Sequence, residues 1–61
     1  MMFETIFSNV RAIHQVHPEL RFQQIMTIAA QKAGWKDNDL FYCPDTTIKQ
    51  GLDMWLGELT T

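Results

Sequence analysis

The sequence has little of what most functional classes require. Its 61 residues include one cysteine, five basic residues and no long apolar run. A single cysteine excludes an intramolecular disulfide framework and fits a reducing compartment. Because the sequence shows no signal-peptide pattern and no apolar run near about 18 residues, we expect neither secretion by that route nor a membrane span. We therefore predict a cytoplasmic protein.

Positive charge is also sparse. The formal net charge is −2, and the basic residues are scattered along the chain: Arg11, Arg21, Lys32, Lys36 and Lys49. Basic side chains clustered on one face are typical of proteins that bind nucleic acid or anionic lipid. Their scatter argues against nucleic acid as a partner and against membrane association.

The residues that are present predict a helical domain. Apolar residues recur at helical spacing in three segments, which predict helices over about 2–16, 18–33 and 46–59. The apolar run 40–43 is too short for a helix and is followed by proline, so we predict a short extended segment between helices 2 and 3. The chain, residues 1–61, is thus predicted to be one compact all-α domain.

Helix signals cluster in the middle of the chain. Pro18 suits the first position of the second helix, and Gly34 suits the left-handed residue that closes it. We therefore predict that this helix is the surface on which the other two pack.

Asp45 is predicted to be the N-cap of the third helix, and Gly51 to allow the close approach of another backbone.

The predicted core follows the three apolar stripes, and Tyr42 is expected to point outward beside an inward Phe41. The residues predicted to be largely buried are Phe3, Ile6, Phe7, Val10, Phe22, Ile25, Met26, Ala29, Phe41, Ile48, Leu52, Trp55 and Leu56.

Two short motifs resemble those of a known group of proteins. The segment 17–24 reads His-Pro-Glu-Leu-Arg-Phe-x-Gln, and the segment 39–45 reads Asp-Leu-Phe-Tyr-x-x-Asp. In these motifs the chain resembles a loose group of very small bacterial and phage proteins that have no assigned activity. The resemblance implies a compact bacterial or phage accessory protein.

Candidate catalytic and metal-binding residues are few. His14, His17 and Cys43 could supply three zinc ligands, or Cys43 and a histidine could form a nucleophile and its base. A closed zinc site needs four ligands at tighter spacing, and no orienting group or oxyanion motif accompanies the cysteine. We predict no metal, no cofactor and no enzymatic activity.

Surplus apolar residues predict a protein partner. Leu20 and Ile28 lie on the opposite side of the second helix from Phe22 and Met26, so a single small core cannot hide both sets. We predict a protein-interaction module that forms a homodimer, since so small a core gains from association. The residues predicted to bind the partner are Leu20, Gln24, Ile28 and Tyr42.

A small DNA-binding regulator is the alternative. The first two helices are predicted to be tightly connected, as in a helix-turn-helix, and the second carries side chains of the types that read base edges. These candidate DNA-binding residues are Arg21, Gln24, Thr27, Gln31 and Lys32. The negative net charge weighs against this alternative.

Overall fold

The chain folds into three α-helices, and no strand occurs in residues 2–37 and 39–60, which the computed structural model describes. Helix α1 spans Met2–Val16, α2 spans Phe22–Lys32 and α3 spans Asp45–Leu59. The predicted all-α, three-helix fold is therefore confirmed. The predicted domain also included residues 1, 38 and 61, which lie outside the described residues.

Helix α1 ends in a turn built around Pro18. The backbone N–H of His17 donates to the carbonyl of Ile13 at 2.9 Å, and the N–H of Leu20 donates to the carbonyl of His17 at 3.1 Å. Pro18 is thus the second residue of a turn, a position that its fixed φ favours. The prediction that Pro18 begins the second helix at residue 18 is wrong, because this turn occupies residues 17–20.

Helix α2 begins four residues later than predicted. Arg21 is extended, with φ −87° and ψ 161°, and its backbone N–H donates to Oε1 of Gln24 at 2.8 Å. This hydrogen bond is one half of a capping box, which pairs a helix-start N–H with a glutamine three residues on. Because it fixes Arg21 at the N-cap, Phe22 becomes the first helical residue.

Helix α2 ends as its sequence predicts. Gly34 has a φ of 101°, in the left-handed region that favours glycine. Its N–H donates to the carbonyl of Gln31 at 3.0 Å, and the N–H of Trp35 donates to that of Ala30 at 3.0 Å. These two hydrogen bonds make a Schellman motif, which confirms the closing role predicted for Gly34.

The connection between α2 and α3 is bent rather than extended. The Asp39 carboxylate accepts a hydrogen bond from the N–H of Phe41 at 2.9 Å, and the N–H of Cys43 donates to the carbonyl of Leu40 at 3.0 Å. The resulting turn directs Leu40 and Cys43 toward the core and leaves Phe41 and Tyr42 in solvent. The predicted extended geometry is therefore replaced by a turn, which is held by one backbone hydrogen bond and one hydrogen bond to the Asp39 carboxylate.

Helix α3 begins one residue earlier than predicted. Pro44 is extended, with φ −63° and ψ 145°, and its carbonyl accepts hydrogen bonds from the N–H groups of Thr47 and Ile48. Pro44 is thus the N-cap and Asp45 the first helical residue, so the prediction that Asp45 is the N-cap is wrong. The Asp45 carboxylate instead places negative charge in the first turn, where the helix dipole favours it.

Helix α3, and not α2, is the element on which the other two helices pack. It contacts α1 and α2 extensively, whereas α1 and α2 touch each other least. Polar pairs join it to both: Asn9 Nδ2 donates to Asp53 Oδ1 at 2.9 Å, and Lys32 Nζ donates to Glu58 Oε1 at 2.7 Å. The predicted central role of α2 is wrong because α3 carries apolar side chains toward both neighbours.

Helices α2 and α3 approach each other at a glycine. A Cβ atom built on Gly51 would overlap the backbone carbonyl of Ala29 and would lie 3.1 Å from the Ala29 Cα. Only a residue without a side chain fits there, which confirms the close approach predicted for Gly51.

The core lies where one stripe of each outer helix meets α3. Its buried hydrophobic residues are Ile6, Val10, Ile13, Ile25, Ala29, Ala30, Cys43, Ile48, Leu52 and Trp55. Met26 and Leu56 are half-buried against this core. The residues predicted to be buried but found exposed are Phe3, Phe7, Phe22 and Phe41.

Candidate functional site

Three exposed phenylalanines form a cluster across α1 and α2. Phe3, Phe7 and Phe22 are 61%, 45% and 47% exposed. The rings of Phe3 and Phe7 meet edge to face with centroids 4.6 Å apart, and the centroids of Phe7 and Phe22 are 5.5 Å apart. We call these three residues the phenylalanine cluster. An exposed apolar patch of this kind typically marks a site of protein contact.

A groove lies between α1 and α2, and two members of the phenylalanine cluster line it. Its volume is about 430 Å³, within the range of pockets that hold a side chain or small ligand. The residues that line it are Phe7, Val10, Arg11, His14, Phe22 and Ile25. The floor is apolar, and Arg11 and His14 supply polar groups on its α1 side.

A second groove, of about 540 Å³, follows the start of α2. It brings together three of the four predicted partner-binding residues and three of the five candidate DNA-binding residues. The lining residues are Leu20, Arg21, Gln23, Gln24, Thr27 and Ile28. Local hydrogen bonds use part of its polar surface, since Gln24 caps α2 and the Thr27 hydroxyl donates to the carbonyl of Gln23 at 2.9 Å.

The remaining predicted partner residue, Tyr42, lies elsewhere. It is 79% exposed, as predicted, and does not line either groove. Its ring packs edge to face on Phe41, with centroids 4.9 Å apart. Phe41 is itself 80% exposed, because the Asp39-held turn directs both rings outward.

The remaining candidate DNA-binding residues do not join the second groove. Lys32 pairs with Glu58 at 2.7 Å and lies 5.5 Å from the centroid of the Trp55 ring. Its ammonium group therefore binds α3 within the domain. Gln31 is exposed at the end of α2. The turn at residues 17–20 also makes the α1–α2 connection longer than the 3–4-residue turn typical of a helix-turn-helix.

The candidate metal ligands are dispersed in different environments. No group of three His, Cys, Asp or Glu side chains that could hold a metal ion occurs within residues 2–37 and 39–60. The His17 ring lies beside Trp55, with centroids 5.9 Å apart, and its Nδ1 is 3.4 Å from the Glu19 carboxylate. His14 is exposed on α1, whereas Cys43 is buried.

Cys43 is in an environment that keeps its thiol protonated. Burial raises the pKa of the thiol, and the nearby Asp45 carboxylate raises it further by disfavouring a second negative charge. The Sγ atom lies 3.8 Å from the carbonyl oxygen of Pro44, to which the thiol is a weak donor. A catalytic or redox-active cysteine requires the opposite shift in pKa, since the thiolate is the reactive form.

Comparison of the chain with protein families, curated proteins and solved structures finds no match. Among the described residues, no helix combines the length and the apolar character needed to cross a bilayer.

The phenylalanine cluster is the surface that the sequence pattern misassigned. On α1, the buried apolar side chains are Ile6, Val10 and Ile13, and Phe3 and Phe7 lie beside this stripe rather than within it. The sequence signal for this exposure is the width of the apolar surface of α1, which is greater than one neighbouring helix covers. For Phe22, the first residue of α2, no comparable feature of the sequence predicts exposure.

Proposed function

We propose that this domain is a small non-enzymatic protein-interaction module that self-associates as a homodimer, in the cytoplasm of a bacterium or of a phage-infected cell. The observation that carries the proposal is the phenylalanine cluster, three large aromatic side chains exposed side by side on one face. Aromatic residues are enriched at protein interfaces, where they bury large areas at little cost in side-chain entropy.

The size of the domain supports self-association. A chain of 61 residues buries a smaller share of its surface than a larger domain, so its margin of stability is small. Covering three phenylalanines with a second copy removes apolar area from water and stabilises the folded state by mass action. A two-fold dimer is the commonest way to cover such a patch.

The absence of enzymatic activity is part of the proposal. Its support is the environment of the one cysteine, whose raised pKa disfavours the nucleophilic form. The two grooves are lined mainly by apolar and uncharged polar side chains, which suit contact with another protein.

Sedimentation velocity across a hundredfold dilution tests the proposal. We expect the parent to change from dimer to monomer on dilution and Phe7→Ser to be monomeric at concentrations where the parent is dimeric. Phe41→Ser is the matched control, because Phe41 is also an exposed phenylalanine but lies outside the cluster. A parent that sediments as a monomer throughout would contradict self-association, and equal loss in both variants would contradict the assigned surface.

DNA binding through α2 remains the second candidate. Its support is that Arg21, Gln24 and Thr27 line one groove. Two observations weigh against it: Lys32 is paired with Glu58, and α1 and α2 make few contacts with each other. A mobility shift with random duplex DNA at low salt tests it. Binding that weakens steeply with added salt, and weakens in Arg21→Gln, would favour this candidate.

A further inference from the structure

Two opposite charges border the phenylalanine cluster on α1. Glu4 follows Phe3 in sequence and Arg11 follows Val10, and both side chains are exposed. Neither forms an ion pair with another residue in the described ranges 2–37 and 39–60. Arg11 also lines the groove beside the cluster. The two residues are two helical turns apart, about 10 Å along the helix axis.

The spacing of these charges makes the surface complementary to itself. In a two-fold pair of antiparallel helices, residues equally distant from the symmetry axis face each other. An axis midway between Glu4 and Arg11 passes beside Phe7, which lies between Phe3 and Phe22 in the cluster. That axis places Glu4 opposite the partner's Arg11 and Arg11 opposite the partner's Glu4.

The same axis places an aromatic side chain over a groove. Phe3, the most exposed member of the cluster, precedes Glu4 by one residue, so the partner's Phe3 lies near Arg11 and the residues that follow it. This is the region of the groove formed by Val10, His14 and Ile25. At about 430 Å³, the groove has room for a phenyl ring. One arrangement of the two copies therefore pairs the opposite charges and also covers exposed apolar surface.

We propose that the occupant of the phenylalanine cluster is a second copy of this chain, docked with its α1 antiparallel to the first, with reciprocal Glu4–Arg11 pairs and each Phe3 seated in the groove of the other copy. This inference rests on the proposed function, since it specifies the geometry of the homodimer. It adds that the orientation of the two copies is set by charge.

Reversal of the two charges, singly and together, tests the geometry. Glu4→Arg alone and Arg11→Glu alone each place like charges opposite one another twice in the dimer. Each single variant should raise the dimer dissociation constant about tenfold or more at low salt. The double variant, Glu4→Arg with Arg11→Glu, restores both attractive pairs and should return to within about threefold of the parent. Added salt should reduce the loss in the single variants.

The control is Lys36→Glu, which changes the net charge as much as Arg11→Glu does but lies in the connection after α2 and lines neither groove. Its dissociation constant should change by less than about threefold. Circular dichroism of each variant checks that α1 is intact, because Glu4→Arg also places positive charge in the first turn of α1.

The outcomes separate this inference from the proposed function. A monomeric parent would overturn both. A different result would overturn only the antiparallel arrangement: the parent is a dimer and Phe7→Ser dissociates it, but the single charge reversals have no effect or the double variant dimerises as weakly as the single variants. Self-association would then stand. Weakened dimerisation in both single variants, together with recovery in the double variant, would support the antiparallel arrangement.

Discussion

Gly51 of α3 lies against the backbone carbonyl of Ala29 in α2, so closely that a methyl group on Gly51 would overlap it. Gly51→Ala should therefore separate the two helices and reduce the free energy of unfolding by about 1–3 kcal/mol. This loss would occur despite the gain of roughly 1 kcal/mol that alanine brings to a helix interior. Urea denaturation followed by circular dichroism measures it.

Gly57→Ala is the matched control, because Gly57 lies in the same helix and a Cβ there meets nothing within 4 Å. This variant should be as stable as the parent or more stable, by up to about 1 kcal/mol. If Gly51→Ala behaved like Gly57→Ala, the close approach of α2 and α3 would be contradicted.

Ile25 is fully buried in α2, and its side chain packs in the core. Ile25→Ala should leave a cavity and cost about 2–5 kcal/mol, a large share of the stability of so small a domain. Thermal denaturation gives the shift in Tm. Met54→Ala, at an exposed position of α3, should cost much less. Similar melting of Ile25→Ala and the parent would mean that α2 is rotated differently about its axis.

Asp45 acts through its charge rather than as a cap, since it is the first helical residue after Pro44. Asp45→Ala and Asp45→Asn should therefore lose similar amounts, about 0.3–1 kcal/mol at low salt, and the loss should shrink as salt is added. An N-cap residue would behave differently, because asparagine caps a helix about as well as aspartate and the domain would keep its stability. Denaturation at two salt concentrations distinguishes the two roles.

Cys43 makes the stability of the domain depend on alkaline pH. Burial and then Asp45 raise the pKa of its thiol above the ordinary value of 9.0, so the unfolded chain releases this proton at a lower pH than the folded one. Where the unfolded state binds fewer protons, stability falls as pH rises. The contribution of the thiol is thus complete below about pH 9 and is lost as pH rises through the folded-state pKa.

The difference in unfolding free energy between the parent and Cys43→Ala measures this contribution, since other alkaline titrations are common to both. Above about pH 9, the parent should lose unfolding free energy relative to Cys43→Ala, and the loss should be smaller in an Asp45→Asn background. A difference that stays constant with pH would contradict the raised pKa.

The sequence predicts the helices better than it predicts their arrangement. The stripe of Ile48, Leu52 and Trp55 and the closing glycine Gly34 are local signals, and both are confirmed. Pro18 suits either a turn or the first turn of a helix. The turn hydrogen bond from Leu20 to His17 and the capping bond between Arg21 and Gln24 decide between them.

The candidate site was harder to predict because exposure is a property of tertiary packing. Phe3 and Phe7 fit an amphipathic stripe as well as Ile6 does, but α3 covers only one side of that stripe. Tyr42 was correctly predicted to point outward, whereas Phe41 shares its exposure because the turn at Asp39 breaks the alternation expected of an extended segment.

The central position of α3 determines when the chain can fold during synthesis. The two helices made first touch each other least, and the helix that both require is made after them. Until residues 45–59 leave the ribosome, the apolar stripes of α1 and α2 have no common surface to bury against. Folding must then close a long loop to bring α1 onto α3, a step whose entropic cost precedes its gain. Ribosome-bound chains that end before Asp45 therefore expose core residues such as Ile13 and Ile25 to chaperones and proteases.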